Sequence, residues 1–155
     1  MANPLRLRIL RLCLHDALTN KQIADRLGKD PATTLHHVRL LVRTGFLAAE
    51  PVRTGARGAL EKPYRATGKS WNLSVSRPED KAVEVLASID AFRAEVLEAG
   101  PEGWLAGGRL GLKLSDERYE ELARKLEELV KGYADAPDDD DGQRYGLFVN
   151  LHRLR

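Results

Sequence analysis

A chain of 155 residues can bury one sizeable core and carry an appended module, but it is too short for a large enzyme with two substrate domains. Its net charge of +2 conceals two opposed halves: residues 1–77 hold 14 Lys and Arg against 5 Asp and Glu, a net of +9, whereas residues 78–155 hold 11 against 18, a net of −7. A single cysteine, Cys13, excludes an internal disulfide framework, and no apolar run approaches the roughly 20 residues of a membrane-spanning helix.

Asn3-Pro4 is an N-cap followed by proline at the first helical position, and Leu5, Ile9, Leu12 and Cys13 then recur at helical spacing. These signals predict a first helix over about residues 4–15. Thr19 caps "NKQIADRLG", in which Ile23, Ala24 and Leu27 form one face and Gly28 ends a short second helix. Asp30 and Pro31 begin a third helix only two residues later, running to Thr44 with Gly45 closing it. Two extended segments follow, "FLAAEPVRT" and "ALEKPYRAT", joined by "GARG", whose glycines permit the positive φ of hairpin turns. Pro51 and Pro63 cannot donate to a ladder, which suits the edges of a two-stranded ribbon.

"SVSRPED", residues 74–80, reads as a linker into a fourth helix over 79–99, with Glu79 and Asp80 at its positive end. Along it Ala82, Val85, Ile89, Phe92, Val96 and Ala99 recur at intervals of three and four, a seam for another helix. Beyond Gly100-Pro101, "RLGLKLS" alternates as a strand. "SDERYEELARKLEELVKGY" reads as a helix capped by Ser115, with Tyr119, Leu122, Leu126, Leu129, Val130 and Tyr133 on its buried side. "RYGLFVNLHRLR" alternates as a second strand, and the two strands can pair in parallel or antiparallel. The expected class is α+β: an N-terminal winged helix-turn-helix over residues 1–75, then a dimerisation helix and a small strand-helix-strand module over 76–155.

Helix, tight connection, helix and basic hairpin is the order in which a second helix enters a DNA major groove while a wing follows the backbone. On the third helix Thr34, His37, Val38 and Leu41 make the inward face, leaving Ala32, Thr33, Leu35, His36, Arg39 and Arg43 outward. His36 and His37 are consecutive, so their side chains diverge by about 100° and do not form a metal pair on one helix face. Candidate DNA contacts are therefore Lys21, Ala32, Thr33, Leu35, His36, Arg39 and Arg43, joined by Arg53, Arg57 and Lys62 of the hairpin. Leu35 suits a thymine methyl, and Arg39 either a guanine edge or a phosphate.

"LTNKQIADRLGKDPATTLHHVRLLVRTGFL" resembles the ArsR-type regulators over about residues 4–70. Ile23-Ala24 with Leu27-Gly28 match the first part of their helix-turn-helix, and His36-His37-Val38 with Leu41 and Thr44-Gly45 match the second. The opening "PLRLRILRLCL" and the wing "EKPYRAT" are similar as well. The resemblance implies a dimeric DNA-binding repressor or sensor, a transcriptional regulator. The chain departs from the metal-sensing members: "TNKQIAD" has no cysteine and residues 79–99 have no histidine, so neither metal nor cofactor is expected.

The expected partners are double-stranded DNA at a pseudo-palindromic operator and a second copy through Val85, Ile89, Phe92 and Val96. An unknown small-molecule effector is a further candidate partner, near Trp104 and the neighbouring glycines. No catalytic cluster or Gly-rich phosphate loop points to an enzyme. No signal-peptide pattern opens the chain, which predicts a cytoplasmic protein without membrane association. The competing class is a winged-helix protein-interaction module whose basic half docks an acidic protein.

Overall fold

The computed structural model describes residues 3–55, 58–69, 81–103, 105–139 and 141–154. Helix α1 spans Pro4–Leu12, where the Arg6 backbone N–H donates to Asn3 Oδ1 at 3.2 Å. It is shorter than its apolar spacing predicts. Cys13 leaves the helix with φ −89° and ψ 4°, and the chain turns to form strand β1, Leu18–Thr19.

Helix α2, Asn20–Leu27, begins with a reciprocal capping box: the Gln22 N–H donates to Thr19 Oγ1 at 3.2 Å, and the Thr19 N–H donates to Gln22 Oε1 at 2.9 Å. Gly28 ends it with φ 58°, a conformation that costs a residue without Cβ little, and Lys29 N–H closes the turn onto the Ala24 carbonyl at 3.0 Å. Helix α3, Pro31–Arg43, starts at once with Asp30 as its cap, its carboxylate accepting from the Thr33 N–H at 2.9 Å. Thr44 is the C-cap, and Gly45 follows with φ 75°.

Strands β2, Leu47–Ala49, β3, Arg53–Thr54, β4, Leu60–Glu61, and β5, Pro63–Ala66, complete the N-terminal half. They do not make the simple ribbon that the prolines suggest. Strand β5 lies between β1 and β2, antiparallel to both, while β3 and β4 pair separately as the tip of the wing. Pro63 is tolerated in this central strand because it is the first residue, where its carbonyl accepts from the Glu50 N–H at 2.9 Å and no N–H is demanded of it. The core beneath gathers Ile9, Leu10, Cys13, Leu18, Ile23, Leu27, Val38, Leu41 and Leu47, drawn from all three helices and the sheet.

Helix α4 is described over Lys81–Ala99, and the linker over 74–80 lies outside the described residues. Helix α4 packs on α1, with Ala87 and Ala91 buried, an Arg8–Glu98 ion pair, and Arg11 donating to Glu95 at 3.4 Å. The residues of the anticipated seam lie about 150° round the helix from that face. There Val85 and Ile89 are exposed, and Phe92 and Val96 half-buried.

The chain divides into two compact units, Met1–Trp104 and Leu105–Arg155. In the second, helix α5 spans Asp116–Ala134 and is capped by Ser115 as its sequence indicates. The two flanking strands of the anticipated strand-helix-strand module are not formed among the described residues. Their alternation is real, but a strand needs a partner backbone, and Leu110 and Tyr145 stand 78% and 68% exposed. On α5 Leu122, Leu126 and Val130 are half-buried, while Tyr119, Leu129 and Tyr133 are exposed.

Candidate nucleic-acid interface

The fold fixes α3 by its inward face: Thr34, Val38 and Leu41 are fully buried, and the Thr34 hydroxyl donates to the Asp30 carbonyl at 3.0 Å. The start of α2 is tied to that of α3 by Asn20, whose Nδ2 donates to the Pro31 carbonyl at 2.9 Å. With α3 held on this side, Ala32, Thr33, His36, Arg39 and Arg43 are exposed on the other. Four of them, Ala32, His36, Arg39 and Arg43, fall within an arc of about 60°. Leu35 is half-buried rather than outward, because one flank of α3 is still covered at its position.

His37 takes an intermediate position, half-buried with Nδ1 enclosed and unpartnered. Its pKa is lowered, first by burial and then by the charges of Arg6 and His36. The rings of His36 and His37 meet edge to face, with centroids 5.5 Å apart. Among the described residues no group of three or more His, Cys, Asp or Glu side chains is arranged to hold a metal ion. Cys13 is core: burial drives its thiol up to about 12, against a smaller opposing pull from Arg26 and Arg65. It has no thiolate chemistry near neutral pH.

The wing presents Arg53 and Lys62 to solvent, while Arg57 lies outside the described residues. Lys21 is exposed near the start of α2. Arg53 is not a bare cation: its Nε donates to Glu61 Oε2 at 3.3 Å and its Nη2 reaches Gln22 Oε1 at 3.5 Å. Arg65 likewise pairs with Glu50 and donates through Nη1 to the His15 carbonyl at 2.8 Å. That clamp joins β5 to the loop after α1, and the reading of residues 59–67 as one extended segment of a two-stranded ribbon gave no sign of it. The staple at the head of α2 did leave a signal: Leu18 before the cap and Ile23 four residues after it are both buried in the same core.

Residues 1–49, under half of the chain, match the family model described as "Helix-turn-helix domain". The matched span runs from α1 through β2 and so includes the α2–α3 pair. No curated protein matches the chain. Among solved structures it is similar to a point mutant of MepR from a multidrug-resistant Staphylococcus aureus clinical isolate, at 22% identity over 84% of this chain and 78% of that one, with a TM-score of 0.37. A mutant of Lactococcus lactis ZitR in apo form matches at 19% identity over 84% and 81%, with a TM-score of 0.35. A MarR family transcriptional regulator from Silicibacter pomeroyi matches at 21% over 84% and 72%, with a TM-score of 0.35.

No helix of the described residues is long and apolar enough to cross a membrane.

Proposed function

We propose that the chain is a DNA-binding transcriptional regulator of the ArsR type, a repressor that acts as a homodimer by occluding a promoter. Residues 1–75 form its DNA-binding domain. The observation that carries this reading is the exposed stripe of Ala32, His36, Arg39 and Arg43 on a helix whose opposite face is anchored in the core. Such a stripe is narrow enough to enter a major groove, and the exposed Lys21 of α2 and Lys62 of the wing are further cations suited to phosphate contact. The net of +9 over residues 1–77 supports a polyanionic partner, because each cation set against a phosphate releases a condensed counterion. The apolar stripe of Val85, Ile89, Phe92 and Val96, exposed at its first two positions, supports pairing with a second copy. Two recognition helices then reach half-sites about 34 Å apart.

The test is binding to duplex fragments from the protein's own upstream region across a salt series. Affinity is expected to fall steeply as salt rises, and Arg39→Ala is expected to cost about 1–3 kcal/mol on the preferred fragment. Weak binding that ignores salt, or an unchanged affinity for Arg39→Ala, contradicts the reading. Capture of an acidic protein in place of DNA would assign the basic half to protein docking instead.

A further inference from the structure

We infer that Glu61 is a built-in brake on the wing: it occupies the Arg53 guanidinium, which also reaches Gln22 at the head of α2, and so withholds one phosphate contact. The inference rests on the DNA-binding reading above.

Arg53 and Glu61 are directly opposed across the β3–β4 pair, where neighbouring side chains meet most closely. Their ion pair at 3.3 Å leaves the guanidinium a second contact, Gln22 Oε1 at 3.5 Å. That same oxygen accepts from the Thr19 N–H at 2.9 Å to close the capping box of α2. One arginine thus joins the wing to the element that carries the helix-turn-helix. A β-carbon at Gly55 would overlap the Glu61 carboxylate, with the carboxylate carbon only 2.7 Å from it, so the missing side chain leaves the space in which Glu61 folds across the wing. The turn behind that space is held by Gly55 N–H donating to the Ala59 carbonyl at 2.8 Å and Gly58 N–H donating to the Gly55 carbonyl at 3.0 Å.

A carboxylate on an arginine competes with phosphate for the same planar donors. A phosphate must therefore displace Glu61 and bring a second negative charge beside it, whereas Lys62, the next residue, has no such competitor among the described ion pairs. The wing then owes its salt-dependent grip to Lys62 more than to Arg53.

The experiment compares the salt dependence of duplex binding for the wild type, Glu61→Gln, Arg53→Gln and the double variant. Each cation set on a phosphate adds about 0.9 to the slope of log K against log salt. The brake predicts that Arg53→Gln leaves the wild-type slope unmoved. It predicts that Glu61→Gln steepens the slope by about one and tightens binding several-fold at low salt. It also predicts that the double variant loses the gain, which separates release of Arg53 from the mere removal of a negative charge. An unmoved slope for Glu61→Gln in a protein that binds normally overturns the brake alone, as does a slope about one unit shallower for Arg53→Gln. Loss of salt-dependent binding in all four proteins overturns the DNA reading and the brake together.

Discussion

His37 shows how one side chain on α3 answers to two neighbours at once. Consecutive with His36, it turns toward the helix pair behind it, where burial and the positive charge of Arg6 both disfavour its protonated form. A histidine whose folded pKa lies below its ordinary value of 6.5 binds fewer protons folded than unfolded. Stability is therefore full above about pH 6.5 and declines as pH falls from there toward the lowered folded value. Denaturant unfolding at pH 7.5 and at about pH 5.5 should show that decline, and His37→Gln should reduce it; an equal decline in the variant would assign the acid sensitivity to other groups. The outward turn of His36, Arg39 and Arg43 was legible from helical spacing alone, whereas His37, placed inward by the same spacing, is only half-buried. The engagement of Arg53 was not legible, because a cation's partner is chosen by cross-strand register and by contacts 31 residues away in sequence. Spacing within one segment says nothing about either.

At the scale of elements, local signals marked the helix starts and the ends closed by glycine, though not the end of α1, which stops at Leu12 and not near residue 15. Thr19 before α2, Asp30 with Pro31, and Ser115 before α5 all cap the helices they foreshadow, and Gly28 and Gly45 follow the ends they mark. Strands were less legible because each depends on a partner elsewhere in the chain. Leu18–Thr19 is too short to show alternation, yet it pairs with β5. Residues 109–115 and 144–154 alternate well, yet no partner strand is formed for them among the described residues. Helix α4 combines both situations. Its spacing announces an apolar stripe, but its own chain uses the small face of Ala87 and Ala91 against α1. The proposed homodimer assigns the other stripe to a second copy, and an isologous contact sets each substitution there twice. Ile89→Glu should then raise the dimer dissociation constant by about 100-fold in sedimentation equilibrium, since each copy would bury an unpaired carboxylate. An unaltered dimer, or a wild type that is monomeric at every concentration, would remove α4 from this role.

The whole molecule changes its charge at residues 77/78, inside the first of its two units: Met1–Trp104 carries 16 Lys and Arg against 12 Asp and Glu, a net of +4, and Leu105–Arg155 carries 9 against 11, a net of −2. The helix-turn-helix, the wing and α4 belong to Met1–Trp104, and α5 belongs to Leu105–Arg155 with most of the acidic residues of the second half. Net charge governs association and not fold, so the change at 77/78 predicts which half meets a polyanion without fixing how either half is built. On the proposed function, the exposed face of α3 reads DNA sequence, and not only its charge. Sequencing the genomic fragments that the purified protein retains at physiological salt tests it most directly. Sequence readout by α3 predicts enrichment of a few upstream regions sharing an inverted repeat, with half-sites about one helical turn apart. Retained DNA indistinguishable in sequence from the input would contradict it.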